Sequence, residues 1–404
     1  MPANVRRLST RAIRGRSART LRSDAVACVM GNLDLVRPLG LAGIRCVSVA
    51  PARHPVHFSR FVVRRIPSDG PDLAQRLVDF AREQSEPPVL FYESDEDLEF
   101  IVRHRERLGG SFRFLLPAPD LLARLVDKEQ FLELASRLEL LVPRSQVLSP
   151  QLVEESPRHL EPRFPIVLKP LPHRDHDWYT HVASGKALRV DSSARLNALW
   201  PRLRATQLRF LAQELVEGPE TQVESYHVYV DSRGHLAGEF AGRKIRTHPA
   251  EFGRSTALET IADATVLTTG RRIIGRLGLR GVAKLDFKRD AEGRLFLLEV
   301  NPRYSLWAHL GARAGVNLPA LAYADLTGDA PLPVSVARAG VRWTWPRPDA
   351  EAARECGIPL RSWLGSTLRS EAKTNLSWDD PMPFIRGWVL PNMAVGTRKA
   401  LGRP

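Results

Sequence analysis

Lysine is nearly missing from this chain. Of 59 basic residues only Lys128, Lys169, Lys186, Lys244, Lys284, Lys288, Lys373 and Lys399 are lysine. Cysteine is scarcer still. Cys28, Cys46 and Cys356 are odd in number, far apart and without CxxC spacing, which argues against a disulfide framework or a zinc site and fits a reducing, cytoplasmic setting. No uninterrupted apolar run approaches the roughly 20 residues of a membrane helix, so membrane insertion is not expected. Acidic residues are absent from 1–23, a stretch that holds seven arginines.

That last absence explains the charge. The formal net charge is +14, of which +7 lies in residues 1–23 and +3 comes from Arg398, Lys399 and Arg403, leaving +4 for the body. A nucleic-acid groove would need the excess inside the fold, so no nucleic-acid partner is expected. The stretch MPANVRRLSTRAIRGRSARTLRS has the composition of an organelle transit peptide but no clear apolar face; a basic disordered tail over 1–23 is the preferred reading. It has no apolar h-region and is not a secretory signal. A chain of 404 residues has room for two or three domains with cores of their own.

Periodicity divides the remainder. AVACVM (25–30) and RCVSVAP (45–51) read as buried strands flanking a helix, LDLVRPLGLAG, that Pro38 interrupts. PPVLFYESDEDLEFIVRHRERL (87–108) repeats strand then helix, which predicts a parallel α/β domain over 24–120. From 121 to 138 the spacing is helical, with Asp127 as an N-cap that puts Lys128 in a first turn, where free N–H groups favour an anion. FPIVLKP (164–170) is a strand with Val167 and Lys169 on one face. A helical segment near 192–205 precedes two hairpins, 220–230 with 235–245 and 282–288 with 294–300, separated by a long helix, ETIADATVLTTGRRIIGRLG. Residues 331–404, rich in proline and tryptophan, show little periodicity and read as a C-terminal extension.

The second hairpin carries the chemistry. Alternation sets Lys284, Asp286 and Lys288 on one face, and Glu299 and Asn301 share a face on the partner strand. Two carboxylates and an amide oxygen on adjacent strands are hard ligands suited to Mg²⁺, and Arg303 just beyond adds a planar donor fork. The plain alternative is a solvated surface hairpin. Against it, Glu299 lies among the apolar residues of LFLLEVNP, where an idle carboxylate is costly.

With the preceding α/β domain, Lys128 after Asp127, Lys169 in VLKP, QELVEGPE at 213–220 and D…E-V-N-P-R, the chain from 24 to 330 resembles the ATP-grasp superfamily of carboxylate–amine ligases. SWDDPMPF at 377–384 is similar to the D-aspartate-ligase-like and carbamoyl-phosphate-synthase-like uncharacterised group of that superfamily. The resemblance implies a mixed α/β and α+β fold: a Rossmann-like pre-ATP-grasp domain, then an ATP-grasp domain over 121–330 in two lobes split near 206. It implies that Lys128 and Lys169 hold the α- and β-phosphates, that Gln213 and the backbone of Glu214 and Val216 meet the adenine, and that Glu220 accepts from the ribose. Asp286, Glu299 and Asn301 would bind Mg²⁺ as a pair of ions, with Mn²⁺ the alternative. Lys284 would steady an acyl phosphate, and Lys244 or Arg243 would reach the γ-phosphate or the acceptor carboxylate.

Where relatives carry a glycine- and serine-rich lid, this chain has LPHRDHDWYTHVASGK at 171–186. Ser184, Gly185 and Lys186 are the candidate remnant of that lid. His173, His176 and His181, interleaved with Asp175 and Asp177, also allow a transition-metal site, though a mobile polar lid with Arg174 explains them without one. The implied activity is phosphorylation of a small-molecule carboxylate to an acyl phosphate and its capture by an amine, giving ADP and phosphate. A nucleotide-binding or sensing protein of the same fold, without turnover, is the alternative. Homodimers are common in the superfamily.

Overall fold

Three short apolar runs, buried along their whole length, and a more exposed edge strand make the first sheet. In the computed structural model, β1 (Ala27–Met30), β2 (Cys46–Ala50), β3 (Val62–Pro67) and β4 (Val89–Tyr92) are all parallel in the order β3-β2-β1-β4. The structure describes residues 22–390 apart from 158, 172–175, 184, 331 and 334, and does not describe the side chains of His176, Asp177, His181 and Trp388. The basic stretch 1–21, most of the lid candidates and the basic C-terminus therefore lie outside the described residues. Among the described residues no helix is long and apolar enough to cross a membrane.

The helix Leu33–Leu41 is not interrupted at Pro38 as the sequence suggests. It runs through the proline because its buried face, Leu33, Leu35, Val36 and Leu39, packs on the sheet and against the helix Trp307–Ala314, and that packing outweighs one missing hydrogen bond. Asn32 caps it, accepting from Asp34 N at 2.8 Å. At the end of β4, Ser94 and Asp97 form a capping box for Asp95–Arg103.

A second sheet is antiparallel, β5 (Ser145–Leu148), β6 (Ile166–Pro170), β7 (Leu188–Val190) and β8 (Phe210–Glu214) in the order β5-β8-β6-β7. Because β8 belongs to this sheet, the passage from one lobe to the other comes after Glu214, not near residue 206. Ile166 and Leu168 face a core of Trp178, Leu196 and Trp200, which turns Val167 and Lys169 the other way.

The third sheet holds β9 (Val223–Val230), β10 (Leu236–His248), β11 (Arg254–Ile261), β12 (Gly281–Arg289), β13 (Leu295–Asn301), β14 (Arg342–Thr344) and β15 (Ala372–Lys373), ordered β13-β12-β9-β10-β11-β14-β15. Both hairpins expected from the alternation form. The long helix expected between them does not start at Glu259. Residues 254–261 pair with β10 as a strand, and the helix Ala264–Leu277 begins after Asp263, whose carboxylate accepts from Thr265 N and Val266 N. Residues 342–344 and 372–373, where no periodicity was visible, add the last two strands to this sheet.

Candidate active site

Between the second and third sheets lies a cavity of about 760 Å³, lined by Lys128, Lys169, Lys186, Gln213, Glu214, Val216, Glu220, Lys244, Asp286, Glu299, Asn301 and Arg303 of the residues nominated from the sequence, but not by Lys284 or Arg243. The second sheet contributes Val167, Lys169 and Gln213, and the third contributes Lys244, Asp286, Lys288, Glu299 and Asn301. Asp95, at the start of the Asp95–Arg103 helix, reaches in from the first domain.

Local forces place each group. Asp127 ends one helix, Pro119–Val126, and caps the next, Lys128–Arg137, accepting from Glu129 N and Gln130 N at 2.9 Å. Lys128 is thereby held in a first turn, and its Nζ donates to Pro170 O at 2.6 Å. Burial, with the nearby charge of Lys169, lowers its pKa to about 8 although Glu299 opposes. Burial likewise lowers Lys186 to about 8 and depresses Lys169, again against the pull of Glu299.

Lys169 Nζ donates to Gln213 Oε1 at 2.8 Å, and Gln213 Nε2 donates to Ser145 Oγ at 3.2 Å. The amide oxygen expected to meet a base is thus turned toward a cation and keeps one lone pair for any other donor. Beyond it, Glu214 N donates to Arg144 O at 2.8 Å and Leu215 N to Pro165 O at 2.9 Å, which pins the strand exit where Val216 lines the cavity.

On the third sheet, Leu285 and Phe287 are buried with Ile273 and Leu297, so the intervening Asp286 and Lys288 face the cavity. The register sets Asp286 directly opposite Glu299 and Lys284 opposite Asn301, with a bulge between Asp286 and Phe287. Lys284 Nζ lies 2.6 Å from Asp286 Oδ2, and Ser225 Oγ donates to Asp286 Oδ1. Asn301 Nδ2 donates to Glu299 Oε1 at 2.9 Å.

Two carboxylates directly opposed on neighbouring strands repel each other. Burial drives the Asp286 carboxyl up despite Lys284, with Glu299 adding to the rise. For Glu299 desolvation also pushes up, but Lys284 and the hydrogen bonds from Asp286 and Asn301 outweigh it and hold the group well below the usual range. Such an acidic pair, backed by an amide oxygen, has the donor chemistry of a Mg²⁺ site. Among the described residues no group of three or more His, Cys, Asp or Glu side chains is arranged to hold a metal. The histidine-rich segment weighed as a transition-metal site falls largely outside them.

Two alternatives left open by the sequence separate here. Arg243 pairs with Glu259 on β11, whereas Lys244 turns into the cavity, where its Nζ donates to Glu220 Oε2 at 3.1 Å. Arg303 lines the cavity with its fork engaged by Asp95, at 3.1 Å from Nη2 to Oδ2, while Nη1 donates to Glu93 O at 3.1 Å. Lys284 stands behind the wall, spent on Asp286. Sequence reasoning missed Asp95 and Phe252 as lining residues, and it placed Lys288 on the face of Asp286 without giving it a role. Alternation carries Lys288 into the cavity with Asp286, whereas Asp95 and Phe252 arrive from segments outside the hairpin.

The sequence matches the model of a family described as "ATP-grasp in the biosynthetic pathway with Ter operon" over residues 209–346. It is similar to D-aspartate ligase of Enterococcus faecium (strain Aus0004), 22% identical over 338 residues that cover 79% of this chain and 77% of that protein. D-alanine–D-alanine ligase of Stutzerimonas stutzeri (strain A1501) is 25% identical over 221 residues, 51% of this chain and 67% of the other. In structure, N5-carboxyaminoimidazole synthetase from Staphylococcus aureus, complexed with ADP, superposes with a TM-score of 0.59 at 13% identity, covering 84% of this chain and 87% of that one. The three sheets, the cleft between the second and third, and these likenesses lead to one assignment: the chain has the ATP-grasp fold and resembles the carboxylate–amine ligases that share it.

Proposed function

We propose that this chain is an ATP-dependent carboxylate–amine ligase, which activates a small-molecule carboxylate as an acyl phosphate and joins it to an amine, releasing ADP and phosphate. The observation that carries this reading is the convergence of Lys128, Lys169 and Lys186 with Asp286, Glu299 and Asn301 on one cavity. Three of the chain's few lysines come from separate elements to face an acidic pair, the arrangement that a polyphosphate and its cations require. The relatives named above are a D-aspartate ligase and a D-alanine–D-alanine ligase, and a solved neighbour is complexed with ADP, which supports this reading.

In this reading Lys128 and Lys169 hold the α- and β-phosphates and Lys186 covers the phosphate chain. The adenine lies at the strand exit, against Val216 N–H and the carbonyl of Glu214, with Gln213 oriented by Lys169. Glu220 takes the ribose. Asp286, Glu299 and Asn301 would hold magnesium, as a pair of ions, which when bound would supply charge neutralisation for in-line transfer of the terminal phosphoryl group. The carboxylate substrate attacks that group from the side of Arg303, whose fork is aimed by Asp95. Lys284 balances the charge of Asp286, and Lys244, set by Glu220, faces the transferred group. No covalent nucleophile is needed; positioning and electrostatics carry the rate.

The test is ADP release from the purified protein against a panel of carboxylates and amines, with product mass identifying both partners. ADP is expected only when both substrates are present, and Asp286→Ala with Glu299→Ala should lower turnover by on the order of 10³ or more. Full activity in that double variant would eliminate the assignment. Tight ADP binding with no turnover across the panel would mark a nucleotide-binding protein instead.

A further inference from the structure

Lys288 is a buried cation that the phosphate chemistry leaves without a role. It follows Asp286 by two residues on the cavity face of β12, and only 6% of it is exposed. Its Nζ donates to Gly218 O at 2.8 Å and to Pro219 O at 2.7 Å, two successive carbonyls immediately before Glu220. Burial lowers its pKa, an effect that the charge of Glu220 opposes and that of Lys244 reinforces.

An ammonium is a costly group to bury for the sake of two carbonyls that water from the cavity would otherwise satisfy. Its worth lies in fixing the turn once a ligand has displaced that water. Gly218 has φ +119°, a backbone shape that glycine adopts and other residues rarely do, so the turn as folded needs glycine at this position. The cation clamps this shape from below while Lys244 meets the Glu220 carboxylate from the side.

The geometry points to Lys288 as a positioning residue for the nucleotide's sugar: by holding the Gly218 and Pro219 carbonyls it aims Glu220 at the ribose hydroxyls and makes the site selective for ribonucleotides over deoxyribonucleotides. This rests on the assignment of Glu220 to the ribose in the preceding section.

Calorimetric titration of the full chain with the magnesium complexes of ADP, 2′-deoxyADP and 3′-deoxyADP tests it. Wild-type protein is expected to prefer ADP over at least one deoxy analogue. In Lys288→Met the affinity for ADP should fall about tenfold and that for the disfavoured analogue less than about twofold, so that the preference collapses. Lys288→Arg, which keeps donors for both carbonyls, should retain the preference, and Lys288→Gln should fall between. In a Glu220→Gln background Lys288→Met should add nothing, because both changes remove one coupled contact. Equal weakening of all three nucleotides in Lys288→Met would indicate a purely structural lysine and overturn the inference. So would an unchanged preference. Wild-type binding of ADP without any sugar preference would sink the ribose assignment and this inference with it while leaving the ATP site standing, whereas no ADP binding at all would overturn the nucleotide reading beneath both.

Discussion

Lys128 carries a charge that depends on pH within the working range. Burial and the neighbouring Lys169 bring its pKa to about 8, so it is an ammonium below that value and largely neutral above it. A bound polyphosphate would favour the charged form and raise the pKa again. Between the two values nucleotide binding must take up protons, and affinity for ADP should be flat below about pH 7 and decline through pH 8 to 9. Lys128→Arg keeps a cation that does not titrate in this window, so its profile should be flatter, with the remaining slope due to Lys186 and Lys169, both also depressed by burial. Calorimetry in two buffers of different ionisation enthalpy reads the proton uptake directly. An arginine variant with the wild-type slope would show that another group titrates.

The helix start at Asp127 does two jobs that one substitution exposes together. Its carboxylate satisfies two free N–H groups, and the break it makes in the chain's helical run sets the direction of Lys128. Asp127→Ala should cost about 1 kcal/mol of stability and weaken ADP binding several-fold, while Asp127→Ser, which still accepts at a cap, should restore most of both. Thermal unfolding paired with nucleotide titration separates the two effects. A loss of stability without any loss of affinity would mean that the cap does not position the lysine.

Across the molecule, the C-terminal segment closes back on the first domain through buried charge. Arg37, on the first helix, meets Asp380 at 3.1 Å and donates to the carbonyls of Lys373 and Thr374 at 2.6 Å. Asp380 also accepts from Ser59 Oγ and Arg60 N, and Asp34 accepts from Trp343 Nε1 and Thr374 Oγ1. Removing one partner of such a pair strands the other without water. Asp380→Ala should therefore destabilise the chain by about 3–5 kcal/mol, seen as a lower urea midpoint, and adding Arg37→Met should recover part of that loss. Additive losses in the double variant would show that the two residues are not coupled.

What could be read along the chain was what a strand or a helix end enforces over a few residues. Alternation alone put Lys284, Asp286 and Lys288 on one face, because successive side chains of a strand must point opposite ways, and the carboxylate of Asp127 marked a cap for the same local reason. Local rules failed where a distant partner chose between two local options. Residues 259–261 pair with β10 instead of joining a helix, and Arg243 goes to Glu259 while Lys244 takes the cavity. Gln213 turns its oxygen to Lys169, 44 positions away, and Arg303 is engaged by Asp95, 208 positions away. The terminal segment was opaque for a kindred reason: its order comes from a partner such as Arg37, 343 residues earlier, and no periodicity within the segment could record that contact.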